Sequence, residues 1–396
     1  MHSVSRAYLI IARAVCIVVE HSWQKAYGTR SNRNTYDIPV VYLTLRTRTV
    51  FAALMLLFLV IVLQVPCLNA YEGSAYLILS YGTVQHSTDY CLHTAFVSYE
   101  HGFLWPVQVE EDINRFSGMV GKGLYAYSIG STICWGEDLW MLDGQLSYRP
   151  LLESGLIKAI QIIIWPSTND TYDNWTVVEI ANGEYDNYIA EIAKQIKNFT
   201  YPVFLRFGAE MNICQGPEYW AGAYSFGENP AAFVAAWRRV VDLFRAEGAS
   251  NAVFVWNPNW QDEGFPHHYT EYYPGDEYVD WVGIDMYQET PTMDPEAQMA
   301  SIYNTYSTVK RIMIAEWGVN WAGQNFSDAD RSSYMTSFFD AIEKRPDIKC
   351  INYWYIDLEN QYDFTFTPST LPLTTSVYVN RISNARYADS APEGST

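Results

Sequence analysis

The sequence lacks the residue spacings that bind metal ions. Its 7 histidines and 6 cysteines are scattered, with no Cys-x-x-Cys pair and no His-Glu-x-x-His motif. Basic residues are also few, because 25 Lys and Arg stand against 44 Asp and Glu and give a net charge of −19. Such a charge disfavours nucleic acid and anionic membrane surfaces as partners. We therefore predict no metal, no cofactor and no nucleic acid partner, whereas a neutral ligand is compatible with the charge.

The chain also lacks internal repeats, low-complexity linkers and the Gly-rich turn that usually follows the first strand of a doubly wound sheet. Instead, eight strand patterns alternate with helix patterns over about 290 residues. The predicted strands are 95–100, 122–130, 156–165, 202–207, 251–259, 279–287, 311–318 and 349–357. This alternation predicts an α/β fold, a (β/α)8 TIM barrel forming a single domain over 93–386. A lead-in segment, 71–92, would precede the barrel, and a polar tail, 387–396, would follow it.

One long apolar run, residues 50–66, contains no charged side chain and follows Arg46 and Arg48. Its length is typical of a secretory signal, with Ala70 as a small residue at the cleavage site, or of a signal anchor that stays in the membrane. We interpret 1–70 as an N-terminal extension. It predicts a protein that is secreted, or anchored in a membrane with its barrel outside the cytoplasm.

Glycosylation sequons agree with export, since all of them follow the apolar run. They begin at Asn169, Asn174, Asn198 and Asn325. The same portion contains Cys91, Cys134, Cys214 and Cys350. An even number of cysteines in an oxidising compartment permits disulfides, and buried thiols are the alternative.

Aromatic residues are abundant, with 14 Trp, 31 Tyr and an aromatic share of 16%. Aromatic rings bury large areas at low entropic cost, so such a surplus can line a groove for ring-shaped ligands. A large core rich in tyrosine explains the same composition. Composition alone leaves both interpretations open.

Two glutamates follow predicted strands, at the end of the barrel where active sites are found. Glu210 follows the fourth strand in GAEMN, and Glu316 closes the seventh in IAEWG. About 106 residues separate them, which corresponds to three βα units of roughly 35 residues, so their side chains should face each other across the barrel mouth. Two opposed carboxylates are what glycoside hydrolysis requires, one protonated to donate and one ionised to attack. The alternative is that each glutamate is a solvated loop residue.

Several longer stretches resemble glycoside hydrolase family 26 in their order and spacing. They are NGEYDNYIAEIAKQIKNFTYPVFLRFGAEMN, AAWRRVVDLFRAEGASNAVFVWNPN, YYPGDEYVDWVGIDMY and IAEWG. The similarity is strongest over 182–318 and weaker over 93–165. It implies a retaining (β/α)8 glycosidase, such as an endo-β-mannanase, a β-glucanase or a xylanase.

The resemblance implies specific roles for residues that match the family's motifs. Glu210 takes the place of the general acid/base, and Glu316 that of the nucleophile. Tyr287 matches a tyrosine that donates to the nucleophile, Arg206 a buried arginine that orients carboxylates, and Trp354 a stacking platform for the sugar. Further predicted substrate-binding residues are Asn212, Trp256, Asn257, Asp285 and Trp317, with Asn259 as another groove candidate.

The sequence departs from the family pattern in two places. The family usually has Gly and a Trp pair after the acid/base motif, where this chain reads NICQGPEYWAGAYSFG. Ala209 stands where the family usually has a histidine immediately before the acid/base. Alanine cannot donate a hydrogen bond to a sugar hydroxyl, so the sugar must be bound differently here. The resemblance implies β-1,4-mannan as the first substrate, with β-1,4- or mixed-linkage glucan and xylan as alternatives. A non-catalytic carbohydrate-binding barrel, or a cell-surface interaction barrel, is the alternative to an enzyme. We expect a monomer that binds a polysaccharide or oligosaccharide.

Overall fold

The computed structural model describes residues 90–98, 106–132, 148–167, 176–213, 228–264, 266–319, 326–358 and 362–390. The apolar run 50–66 and three of the four sequons lie outside these residues. Asn198, in the fourth sequon, has an exposed side chain. Among the described residues, no helix combines the length and the apolar character needed to cross a membrane.

Eight parallel strands form the centre of the fold. They are β1 (Cys91–Ser98), β2 (Ala126–Thr132), β3 (Ala159–Trp165), β4 (Val203–Phe207), β5 (Ala252–Trp256), β6 (Trp281–Tyr287), β7 (Arg311–Gly318) and β8 (Ile348–Leu358). Each strand pairs with the next, and β1 also pairs with β8 over the register Leu92↔Cys350 to Ser98↔Ile356. The sheet is therefore closed, and the predicted (β/α)8 barrel is confirmed.

Helices follow the strands and cover the outside of the barrel. They are α1 (Pro106–Val120), α2 (Arg149–Glu153), α3 (Val177–Asn182), α4 (Asp186–Phe199), α5 (Pro230–Glu247), α6 (Pro295–Tyr306), α7 (Asp328–Glu343) and α8 (Pro372–Ile382). Two of them show how the sequence fixes helix ends. At the start of α5, the side chain of Asn229 accepts from the backbone N–H of Ala232, and Pro230 has no N–H that would need an acceptor. Gly248 ends α5 in a left-handed conformation, φ 74°.

Two short strands extend the sheet beyond the barrel, β9 (Tyr362–Asp363) and β10 (Tyr387–Ala388). β10 pairs with the start of β1, Cys91↔Tyr387, and the Tyr387 side chain is fully buried. The folded sheet thus includes residues 91–92 and 387–388, which lie outside the predicted limits 93–386. Cys350 lies inside the barrel as a buried thiol, and burial raises its pKa.

Side chains alternate between two packed layers, as successive residues of a strand must. Phe204, Val253, Trp281 and Met313 belong to the cluster that fills the barrel interior. Gly283 allows Asn257 to pack close to β6, since a Cβ at position 283 would lie only 3.0 Å from the Cβ of Asn257. Side chains of the opposite parity pack between the strands and the helices.

His93 is a buried titratable group in the outer layer, between β1, α1 and α8. Its ring nitrogens lie 2.7 Å from the carbonyl oxygen of Gly123 and 2.9 Å from the hydroxyl of Tyr378. Burial lowers the pKa of His93 to about 4, and the contact with Gly123 opposes this shift.

The depressed pKa of His93 predicts a pH-dependent loss of stability. Between pH 6.5 and pH 4 the unfolded chain binds a proton on this ring and the native protein does not, so the stabilisation present above pH 6.5 falls as the pH falls. In His93→Gln the free energy of unfolding should depend less on pH, by about 3 kcal/mol between pH 7 and pH 4. Urea unfolding at both pH values measures this, with His267→Gln, a partly exposed histidine, as the control. Equal pH dependence in wild type and His93→Gln would contradict the prediction.

Candidate active site

The site is built on the guanidinium of Arg206, which is 0% exposed inside the barrel. Its Nη2 lies 2.7 Å from Oδ2 of Asp285 and 2.7 Å from Oε1 of Glu316. Its Nε donates to Oδ1 of Asn257. Burial lowers the pKa of Arg206, but the charges of Asp285 and Glu316 raise it further, so the net shift is upward. One permanent positive charge therefore links β4 to residues of β6, β7 and the end of β5.

Glu316 reaches this charge because β7 contains an irregularity. Met313 and Ala315 face the barrel interior, so regular alternation would turn Glu316 towards the helices. The register shifts between Ile284↔Ile314 and Asp285↔Glu316, which leaves one extra residue on β7. Such a bulge re-aims the following side chain. Glu316 consequently points to the mouth, with its side chain 12% exposed.

Tyr287, the last residue of β6, holds the second oxygen of Glu316. Its hydroxyl donates to Oε2 of Glu316 over 2.7 Å. Burial, followed by the charge of Glu316, raises the pKa of Tyr287 well above its usual value, so the hydroxyl keeps its proton. Glu316 therefore has one oxygen on Arg206 and the other on Tyr287, a fixed orientation.

Glu210 lies just beyond β4 in a left-handed backbone conformation, φ 58°. This conformation is uncommon for a residue with a side chain and is often found at functional sites. The N–H of Glu210 donates to the carbonyl of Asn257 over 2.8 Å, and Nδ2 of Asn259 donates to Oε1 of Glu210 over 2.8 Å. The Glu210 side chain stays partly exposed at the mouth.

Glu210 has an elevated pKa of about 7. Burial is the largest cause, and the charge of Glu316 adds to it. The hydrogen bond from Asn259 and the charge of Arg206 act in the opposite direction. Near neutral pH the carboxyl is therefore poised between its acid and base forms, as a general acid/base requires.

Asn212 fixes the loop that carries Asn259. Its Oδ1 accepts from the N–H of Asn259 over 2.9 Å, and its Nδ2 lies 3.0 Å from the carbonyl oxygen of Asn259 and 2.9 Å from that of Gln261. Asn212 is 0% exposed. This corrects its predicted role: Asn212 positions the partner of Glu210 and does not reach a substrate.

Three other predicted substrate-binding residues also lie beneath the surface of the site. Arg206, Asn257 and Asp285 are 0% or 1% exposed and contact one another. Burial raises the pKa of Asp285 well above its usual value, although the neighbouring charge of Arg206 acts in the opposite direction. These residues orient the glutamates from below, which corrects the expectation of direct sugar contact for Asn257 and Asp285.

Trp256 and Trp317 do not line the groove, although the sequence predicts them there. Trp256 packs among tyrosines of the outer layer and donates to the carbonyl of Tyr272. The ring of Trp317 stacks on Phe338 of α7 with centroids 3.6 Å apart. Trp256 precedes Asn257 and Trp317 follows Glu316, and both of these neighbours face Arg206. Strand alternation therefore turns the two tryptophans outward. Ala209 is buried in the same layer, at 1% exposure.

Trp354 of β8 does face the mouth and is partly exposed there. Its ring lies 4.7 Å from the ring of Phe96 on β1, which is also partly exposed, and the two residues are paired in register. The sequence analysis did not single out Phe96, because a lone Phe in a strand predicts only core packing. Together the two rings form an aromatic wall on the β8–β1 side of the barrel.

The acidic groups of the site are held by Arg206, Tyr287 and Asn259. Within the described residues, no group of three or more His, Cys, Asp or Glu side chains is arranged to hold a metal ion. The mouth presents Glu316, which receives donors on both oxygens, beside Glu210, a carboxyl with a raised pKa.

Known proteins resemble the part of the chain that contains this site. The model of glycosyl hydrolase family 26 matches residues 163–340, which include both glutamates. Endoglucanase H of Acetivibrio thermocellus is 33% identical over 183 residues, which are 43% of this chain and 20% of that protein. Mannan endo-1,4-beta-mannosidase A and B of Caldalkalibacillus mannanilyticus is 31% identical over 108 residues, 26% of this chain and 20% of that protein. The chain thus spans about a fifth of the length of these curated relatives.

The fold has counterparts among solved structures. The catalytic domain of a family 26 endo-β-1,4-mannanase from Bacillus sp. JAMB-750 superposes with a TM-score of 0.56 at 17% identity. The alignment covers 76% of this chain and 87% of that domain. The predicted resemblance to glycosyl hydrolase family 26 is confirmed over residues 163–340.

The two largest neighbouring influences on Glu210 predict opposite shifts of its pKa. Asn259→Ala removes a hydrogen bond that lowers the pKa and should raise it above 7, whereas Glu316→Gln removes a charge that raises it and should lower it. Titration of ¹³C-labelled glutamate carboxyls by NMR measures both. Asn198→Ala, on the outer surface of α4, should leave the titration unchanged. Shifts in the same direction in the two site variants would contradict the prediction.

Proposed function

We propose that this protein hydrolyses a β-linked polysaccharide with retention of configuration, using Glu210 as acid/base and Glu316 as nucleophile. One observation carries the proposal: the two mouth carboxyls lie in different environments. Glu210 has a pKa of about 7 and can donate a proton near neutrality. Glu316 receives donors on both oxygens, from Arg206 and Tyr287, as a carboxylate does. Such a division of roles is what glycoside hydrolysis needs.

In the first step an oxygen of Glu316 attacks the anomeric carbon, while Glu210 gives its proton to the glycosidic oxygen. The bond between that oxygen and the anomeric carbon breaks, and the leaving sugar departs with the proton. The product on the enzyme is a glycosyl ester of Glu316. Tyr287 and Arg206 fix the direction of attack, because each holds one oxygen of the nucleophile.

The second step uses Glu210 as a base. Esterification removes the negative charge of Glu316, which is the second-largest influence raising the pKa of Glu210. The pKa of Glu210 therefore falls when the ester forms, and its carboxylate can take a proton from water. That water attacks the anomeric carbon and releases Glu316, so the second inversion restores the starting configuration.

For the substrate we propose a β-1,4-linked glycan, with mannan first and glucan as the alternative. Of the relatives reported above, one is named as a mannan endo-1,4-beta-mannosidase and one as an endoglucanase. The aromatic wall of Trp354 and Phe96 suits either sugar, since ring faces bind the apolar faces of pyranoses without reading each hydroxyl. Xylan remains a third candidate from the sequence.

We also propose that the enzyme acts outside the cytoplasm as a monomer, either secreted or membrane-anchored. The apolar run 50–66 and the four sequons support this location. The exposed side chain of Asn198 supports it further, because a glycan acceptor must be accessible.

The nucleophile assignment predicts the behaviour of Glu316→Ala. Turnover should fall by at least about 10⁴-fold, because no covalent intermediate can form. Added azide should restore part of the activity and give a glycosyl azide of inverted configuration, detected by ¹H NMR. Glu191→Ala, an exposed glutamate on α4, should retain full activity. Full activity in Glu316→Ala would refute the assignment.

A substrate panel separates the enzyme from a non-catalytic carbohydrate-binding barrel. Purified wild-type protein is incubated with β-mannan, mixed-linkage glucan, cellulose and xylan, and the release of reducing sugar is measured. We expect release from mannan or a glucan. Binding to one of these glycans with no release from any of them would identify a binding protein instead.

A further inference from the structure

Two side chains beyond the catalytic pair take no part in the mechanism above, Trp260 and Glu289. Trp260 directly follows Asn259, the residue that donates to Glu210. Its backbone N–H donates to the carbonyl of Asp285 over 2.9 Å, which fixes it against the end of β6. Its ring packs on the core on one side and is partly exposed on the other.

Glu289 lies two residues after Tyr287 and is also partly exposed. Nε1 of Trp260 lies 3.4 Å from Oε1 of Glu289, a long hydrogen bond that orients the indole. Burial raises the pKa of Glu289 above its usual value. The contact with Trp260 acts against this shift, and the charge of Glu263 adds to it. The charge of Glu289 in turn contributes to the raised pKa of Glu210, so the two carboxyls lie within electrostatic reach.

The order of the strands places this pair relative to the reaction. In a closed barrel of eight strands, β4 and β5 lie opposite β8 and β1. The aromatic wall of Trp354 and Phe96 occupies the β8–β1 side, where the sugar that becomes attached to Glu316 would stack. The leaving sugar must depart past the proton donor, Glu210, and thus towards the loops that follow β5 and β6. Trp260 and Glu289 lie on those loops.

We infer that Trp260 and Glu289 form the subsite for the leaving sugar. The exposed part of the Trp260 ring stacks on the apolar face of that sugar, and the Glu289 carboxyl accepts a hydrogen bond from one of its hydroxyls. This inference rests on the proposed glycosidase function and adds to it a second carbohydrate-binding position on the acid/base side.

The alternative is that the Trp260–Glu289 contact merely ties two loops together. A structural contact and a subsite differ in which substrates are turned over more slowly when the contact is lost. A structural defect disturbs Glu210 and Glu316 and slows every substrate. A subsite matters only for substrates whose leaving group is a sugar.

The experiment compares two substrates of the same sugar, a β-1,4-linked tetrasaccharide and the disaccharide β-fluoride. Both mannose and glucose pairs are used. Fluoride is too small to occupy the subsite and reports on the attack by Glu316 alone. For Trp260→Ala, kcat/KM on the tetrasaccharide should fall about 10- to 100-fold, with fluoride turnover within about twofold of wild type. Trp260→Phe retains a ring and should lose less than Trp260→Ala.

Glu289→Gln should lower kcat/KM on the tetrasaccharide by about three- to tenfold, again with little change on the fluoride. Leu373→Ala and Glu191→Gln, exposed positions on α8 and α4, are the matched controls and should change neither substrate. Equal losses on both substrates, or no loss on the tetrasaccharide, would overturn the subsite. A wild-type protein that cleaves neither member of the mannose pair or of the glucose pair would refute the proposed β-1,4-mannan or glucan substrate, and the subsite with it.

Discussion

The site depends on one buried positive charge, the guanidinium of Arg206. It is 0% exposed and contacts Asp285, Glu316 and Asn257, residues of three other segments. A buried ion pair adds little net stability, because desolvation offsets the attraction, yet loss of one partner costs about 3–5 kcal/mol. What Arg206 contributes is geometry. Its charge compensates part of the repulsion among Asp285, Glu316 and Glu210.

Two local irregularities then bring the reactive groups to the surface. The bulge in β7 turns Glu316 from the helix layer to the mouth, and Glu210, in a left-handed conformation, places its carboxyl against Asn259. Both depart from the regular geometry of a strand, and both lie at its carboxyl end, where the barrel no longer needs regular pairing. The scaffold is therefore rigid where it packs and irregular where it must aim a side chain.

Sequence periodicity predicts the barrel well, because the strand and helix patterns are long and strong; the predicted limits of β7, 311–318, coincide with the observed ones. It predicts the site less well. Trp256 and Trp317 stand beside inward-facing polar residues, and without a register a pattern cannot say which neighbour faces the groove. Asn212 has the side chain of a ligand-binding amide, but its partners are backbone groups and the Asp262 carboxylate of the loop that carries Asn259. The bulge at Ala315 could not be predicted either, because no Gly or Pro stands at that position to indicate an irregular strand.

The same electrostatic coupling that shapes the resting site also explains how one carboxyl can serve both steps. In the mechanism we propose, Glu210 is protonated while Glu316 is charged, and the formation of an ester on Glu316 removes that charge at the moment when a base is needed. Asn259 and Arg206 each hold one of the two groups in the resting site. In this proposal, the change in the charge of Glu316 is what converts Glu210 from an acid into a base. A residue such as Glu289, close enough to contribute to the pKa of Glu210 while lying outside the reacting pair, can tune that change without taking part in the bond-making.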